Sequence, residues 1–164
     1  MEEIAFVIPC FNEQESIGFV VAELRDLFPE ASIYVCDNQS LDRTAQVAHA
    51  AGAVVLVEQA KGKGNAVRRL LRDVEADLFV MVDGDNTYDL SFLSEAIERC
   101  RRDRFDLMTG DRFAVMGRSH FRRGHGLGNV FFTSFFRVVF GVQTRDVFSG
   151  LRIFSRRLVK HSHW

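Results

Sequence analysis

Two carboxylates separated by one glycine end the stretch L-F-V-M-V-D-G-D at residues 78–85. Aspartates at that spacing offer hard oxygen ligands side by side, which suits Mg2+ or Mn2+ carrying a diphosphate. D-x-D is a common pattern, and its meaning here comes from position. Residues 78–82 are apolar without interruption, as in a strand buried on both faces of a parallel sheet. Open parallel sheets bind their ligands beyond the carboxyl ends of the strands. Asp83 and Asp85 are therefore expected at the mouth of a site, with Gly84 allowing backbone or phosphate to come close.

Three other segments carry polar or flexible residues just after an apolar run. They are P-C-F-N-E at 9–13, D-N-Q-S-L-D-R-T at 37–44 and K-G-K-G-N-A at 61–66. Each has a local explanation as a turn, a helix cap or a flexible loop. Gathered at one sheet edge with the carboxylate pair, they make a nucleotide pocket with base contacts, a phosphate loop and a metal. The spacing G-x-x-x-x-G-K-[ST] of a P-loop is absent. The run G-H-G-L-G-N at 124–129 ends in Asn and follows no strand, which excludes a dinucleotide fingerprint.

The elements that must position these segments alternate along the chain. Strands are expected at 4–8, 33–36, 53–57, 78–82 and 107–109. Helices are expected at 15–28, 42–51 (capped by Ser40 or Asp42), 65–74 and 91–102. Arg68, Arg69 and Arg72 read as a solvated helix face. A Phe-rich helix at 124–140 and a short strand at 151–154 follow, and residues 161–163 read as a frayed tail. Such alternation predicts an α/β fold, a mostly parallel sheet flanked by helices.

The 164 residues suffice for one domain, and 47% hydrophobic with 26% charged residues is a globular composition. Three cysteines without metal-ligand spacing fit a reducing cytoplasmic setting better than a disulfide framework. The acidic start M-E-E-I is unlike a secretion signal, and no uncharged apolar run reaches the ~20 residues that span a bilayer. The net charge of −1 hides a polarity: residues 1–111 hold 11 basic and 21 acidic side chains, residues 112–164 hold 10 basic and one acid, Asp146. An anionic partner for the last third follows. Of the basic residues 18 are Arg, whose planar fork matches phosphate oxygens. The phenylalanines of 124–140, flanked by Arg118, Arg122, Arg123, Arg137 and Arg145, point to a helix lying on an anionic membrane surface.

Taken in order, V-I-P-C-F-N-E, D-N-Q-S-L-D-R-T, G-K-G-N-A and V-D-G-D resemble a family-2 glycosyltransferase of the GT-A fold. G-D-R at 110–112 and D-V-F-S-G-L-R at 146–152 resemble the branch that glycosylates polyprenyl or dolichyl phosphates. The resemblance runs from residue 4 to about residue 157. It implies a metal-dependent, inverting transfer of a sugar from a nucleotide-sugar donor, with Mg2+ or Mn2+ as cofactor. Pro9, Asn12 and Glu13 would line the nucleoside, Asp37 and Asn38 the base, and Lys63 the phosphates. Asp83 and Asp85 would hold the metal-diphosphate. Arg112, Arg122, Arg123 and Arg152 would face the acceptor phosphate. Asp146 would be the catalytic residue, as general base or by positioning an arginine. Many relatives carry two acids where Asp37 and Asn38 stand, and the extra amide donor of Asn38 leaves the base open.

These readings predict one catalytic domain, shorter than its relatives at the C-terminus. Residues 1–111 form its nucleotide-binding half and 112–164 a basic acceptor- and membrane-facing part, peripheral at the inner face of the cell membrane. Nucleic acid is not an expected partner. The alternatives are a soluble or saccharide acceptor, a non-catalytic nucleotide- or membrane-binding fragment, and a nucleotidyltransferase.

Overall fold

Alternate residues of the first strand enter two different cores. Phe6, Ile8 and Cys10 pack on one face of the sheet, Ala5 and Val7 on the other, the period of two that a pleated strand imposes. The computed structural model describes residues 2–87, 89–109 and 151–161. Ile4–Cys10 forms β1, Ile17–Leu27 α1, Ser32–Asp37 β2, Thr44–Ala50 α2 and Val54–Val57 β3. Lys63–Asp73 forms α3, Leu78–Met81 β4, Leu93–Asp103 α4 and Leu107–Thr109 β5, and Arg152–Ser155 and Arg156–His161 form β6 and α5.

The sheet runs β3-β2-β1-β4-β6-β5. β1 is parallel to β2 and to β4, and β2 to β3. Helices α1, α2 and α4 bury Ile17, Val20, Val21, Leu24, Ala48, Leu93, Ile97 and Cys100 on the first face. Ala66, Leu70 and Leu71 of α3 and Val159 of α5 bury on the second. The chain thus moves outward from β1 to β3, then returns through α3 across the sheet to β4. Winding reverses between β1 and β4, and a crevice opens there at their carboxyl ends.

Every residue of β4 is buried, as its apolar run requires. The edge strand β3 leaves Val54 and Val57 about half exposed. β6 departs from the simple alternation. It lies between β4 and β5 and is antiparallel to both, with Met81 opposite Arg152 and Leu78 opposite Ser155. The segment after it forms α5, and His161, expected in a frayed tail, closes that helix with its Nδ1 donating to the Arg157 carbonyl at 2.8 Å. Ion pairs hold the junction: Arg156 reaches Glu75 at 2.9 Å and Asp77 at 3.2 Å, and Arg157 reaches Asp106 at 2.6 Å.

Helices begin about two residues later than expected at α1, α2 and α4, because backbone turns precede them. At α3 the order is reversed: Lys63 and Gly64, expected in a loop, form its first turn after Gly62 turns the chain at φ 124°. The Phe-rich segment 124–140, Arg112, Arg122, Arg123 and Asp146 lie outside the described residues. Among the described residues no helix is long and apolar enough to cross a membrane.

Phe6 is fully buried, and its ring centroid stands 5.0 Å from that of Phe28. Phe6→Ala removes this contact from the centre of the first core. It should cost about 3–5 kcal/mol in urea unfolding; a loss below about 1 kcal/mol would mean that this core does not carry the fold.

Candidate active site

The segments that follow β1, β2 and β4 meet the first turn of α3 around a cleft of about 170 Å³. Its lining is Pro9, Cys10, Phe11, Glu13, Asn38, Lys63, Ala66, Asp83 and Asp85. Six of the expected site residues are thereby brought together: Pro9, Glu13, Asn38, Lys63, Asp83 and Asp85. Asn12 and Asp37 are not part of that lining. Arg152 stands at the same edge of the sheet, since its antiparallel strand begins beside Met81.

The loops after β1 and β2 are laced together by side chains that accept backbone N–H groups. Asn12 N donates to Ser40 Oγ at 2.9 Å, and Leu41 N to Asn12 Oδ1 at 2.8 Å. Glu13 N donates to Thr44 Oγ1 at 2.8 Å, Gln14 N to Asp42 Oδ2 at 3.2 Å and Arg43 N to Gln14 Oε1 at 3.1 Å. Neither residue expected to cap α2 stands at its N-cap, which is Arg43. Asp42, one residue before, accepts Thr44 N at 2.9 Å, and Ser40 serves the neighbouring loop. Asn12, Gln39 and Asn86 all adopt positive φ in the loops beyond β1, β2 and β4. Asn tolerates that conformation better than other non-glycine residues.

Asn38 joins the second loop to the third. Its amide nitrogen donates to the carbonyls of Glu58 at 3.0 Å and Ala60 at 2.8 Å, and its Oδ1 accepts Gly62 N at 2.7 Å. Two carbonyls on one side and an N–H on the other fix the orientation of this amide. Both its donors are engaged, and one lone pair of Oδ1 remains. Beside it Asp37 is 7% exposed, and its Oδ1 is buried without a hydrogen-bond partner.

Gly84 is required by space. A Cβ there would stand 2.5 Å from Cys10 Sγ and closer still to Glu13 Oε2. The intimate approach that its lack of a side chain permits is therefore to the floor of the cleft. Glu13 Oε2 is itself buried and has no hydrogen-bond partner. Burial raises the Glu13 carboxyl above its ordinary range, with Asp85 and Asp83 adding repulsion, while the Cys10 thiol and Lys63 pull the other way. Burial also pushes the Cys10 thiol far up, so it is no nucleophile at neutral pH.

Asp85 Oδ1 accepts Thr87 N at 3.2 Å and Thr87 Oγ1 at 2.7 Å, which fixes its loop. Asp83 is paired with Lys63. No group of three or more Asp, Glu, His or Cys side chains is placed to hold a metal ion among the described residues. Two aspartates alone do not make a cage. They do fit Mg2+ or Mn2+ bound by one or two carboxylates plus the phosphates of a substrate, the usual arrangement for these ions.

An open, mainly parallel sheet with a carboxylate pair beyond its switch point is the architecture of GT-A-type glycosyltransferases. The chain belongs to glycosyl transferase family 2, whose profile matches residues 5–162. It is 48% identical over 122 residues to protein RfbJ of Shigella flexneri, covering 74% of this chain and 95% of that protein. A dolichyl-phosphate hexose transferase of Haloferax volcanii is 28% identical over 163 residues, covering 99% of this chain and 71% of that one. Another curated relative is longer, and the chain spans 51% of its length. The fold is similar to that of Mycobacterium tuberculosis glucosyl-3-phosphoglycerate synthase, solved with Mn2+, uridine diphosphate and phosphoglyceric acid. The TM-score is 0.78 at 22% identity, covering 96% of this chain and 57% of that one.

Cys10, Phe11 and Ala66 lie within segments expected to form the pocket, but their individual places in its lining, and those of Thr44 and Gln14 as braces, come from the structure. The hydroxyl, amide and carboxylate groups crowded into residues 37–44 were the available signal for the lacing.

Glu13 gives a pH test. Its folded-state pKa is raised, so the folded protein holds this proton more tightly than the unfolded chain. Stability from this group is full below the ordinary carboxylate pKa of about 4.3 and is lost as pH rises through the folded value. In metal-free buffer, wild type should lose stability relative to Glu13→Gln as pH rises above the ordinary carboxylate value of about 4.3. A gap between the two denaturation midpoints that stays constant with pH would contradict a strained carboxylate.

Proposed function

We propose that the protein transfers a sugar from a nucleoside diphosphate sugar to the phosphate of a polyprenyl phosphate, with inversion at the anomeric carbon. The observation that carries this reading is the convergence of Asp83, Asp85, Glu13 and Lys63 on one cleft at the β1/β4 switch point. The donor lies across the strand ends with its ribose toward Pro9, Asn12 and Glu13. Asp37 and Asn38 face the base. Between them they offer an unpartnered acceptor and one remaining lone pair, which suits an imide N–H, as in uracil or guanine, better than adenine or cytosine.

Asp83 and Asp85 would hold Mg2+ or Mn2+, and the ion would supply positive charge for the diphosphate of the donor. Lys63 and the amino-terminal turn of α3 face the same phosphates. The acceptor phosphate is largely dianionic at neutral pH, because a phosphate monoester has its second pKa near 6. Positioning that nucleophile then matters more than deprotonating it. Arg112, Arg122, Arg123 and Arg152 take that task, with Asp146 as base or as a partner that orients an arginine. The name of the dolichyl-phosphate hexose transferase relative supports the acceptor class. In this reading residues 1–111 bind the donor, and the basic residues of 112–164 meet the acceptor at an anionic membrane surface.

Titration calorimetry with UDP and GDP, with and without Mn2+, tests the donor site. Asp85→Asn keeps the shape and removes one charge from the hard-cation site. Binding of one nucleotide should strengthen with Mn2+ in the wild type, and the variant should lose about tenfold or more of that affinity, the loss expected for a ligand-shell change. Equal affinities in all four combinations of protein and metal would overturn the assignment. Release of free nucleoside diphosphate from a sugar donor, dependent on polyprenyl phosphate, tests the acceptor.

A further inference from the structure

Among the described residues that line the cleft Lys63 is the one cation, facing Glu13, Asp83 and Asp85. Its ammonium pairs with Asp83 Oδ1, on one of the two carboxylates that would hold a divalent ion. The two partners are unequally held. The Asp83 side chain is 16% exposed and fixed at the end of β4, whereas that of Lys63 is 55% exposed. The backbone beneath Lys63 is anchored: Gly62 N donates to Asn38 Oδ1 at 2.7 Å, and Asn65 Nδ2 donates to the Lys61 carbonyl at 3.0 Å. A flexible four-carbon arm on a fixed base can exchange partners without moving the loop. The space above Gly64, the next residue, is open, with no atom within 4 Å of an added Cβ.

We propose that Lys63 is a resident counter-cation for Asp83, displaced by the divalent ion and passed to the diphosphate of the donor, so that metal and nucleotide bind cooperatively. This rests on the donor-site reading above. Without metal, Lys63 neutralises Asp83 and is withheld from an incoming nucleotide. Without nucleotide, a metal ion must remove the ammonium from Asp83 with no phosphate for it to take in exchange. When both arrive, the carboxylate keeps a cation and the ammonium gains a phosphate. Each ligand therefore lowers the cost of binding the other, and linkage makes the effect reciprocal. The carboxylate pair is also shielded by its own lysine between turnovers.

The experiment compares wild type, Lys63→Met and Lys61→Met by titration calorimetry with MnCl2 alone, UDP or GDP alone, and each nucleotide at saturating MnCl2. Lys61→Met removes the same charge two residues earlier, in the loop before α3, without touching Asp83, so it separates pair exchange from a general change in charge. Thermal unfolding confirms that each variant is folded. Lys63→Met should bind Mn2+ alone about two- to fivefold more tightly than wild type, the range an exposed ion pair is worth. Its factor of cooperativity between Mn2+ and nucleotide should fall by a similar amount. Lys61→Met should show neither change. Equal Mn2+ affinity in Lys63→Met and wild type, equal gains in both lysine variants, or an unchanged cooperativity factor would each overturn the exchange. Wild type that binds neither Mn2+ nor nucleotide would overturn the donor site itself, and the exchange with it.

Discussion

The site depends on one constraint of winding. After three strands laid side by side in the order β1, β2, β3, the chain crosses back beneath the sheet through α3 and places β4 on the free side of β1. Helices α1 and α4, which follow β1 and β4, both pack on the first face, whereas α3 makes the return crossing on the second. A space is left open between the carboxyl ends of β1 and β4. Into that space project the residues after Cys10 and those after Val82. Helix α3 adds its own first turn, because the element that makes the return crossing starts at the same edge. Parallel strands of unbroken apolar residues are thus what allow three charged segments, distant in sequence, to face one another.

Much of this was legible because buried strands write themselves as apolar runs. The five residues before Asp83 and the alternation of strands with helices along the chain needed no tertiary knowledge. The antiparallel entry of β6 between β4 and β5 was not legible. The strand was recognised by its apolar residues, but the choice of neighbour depends on partners some 70 residues earlier, such as Met81 for Arg152. The work of Asn38 was hidden for the same reason. A side chain beside the base was expected, and what it grips are the backbone groups of residues 58–62. Hydrogen bonds from a side chain to a remote backbone leave no periodic trace in a sequence.

The cleft also shows how a site can be stiff and charged at once. Glu13, Asp83 and Asp85 repel one another, and a loop left to itself would spread them. The lacing of the first two loops and the fit of Gly84 over Cys10 and Glu13 prevent that. The repulsion is then held in place and is available to whatever cation enters. Asp37, with one oxygen buried and unpartnered, stores a polar demand of the same kind beside Asn38.

The central position of β6 has a consequence for how the protein is made. Among the described strands β5 pairs only with β6, so it leaves the ribosome before that partner exists. The growing chain can pair β1 through β4 early, yet it carries two unsealed strand edges until residues 152–155 emerge. Open edges of that kind invite pairing with other chains. Closure by late, long-range contacts is slow as well, because a large loop must be ordered before the contacts reward it. A nascent chain halted between β5 and β6 would therefore be an aggregation hazard, and the interval in which chaperones matter most is the one just before this strand appears.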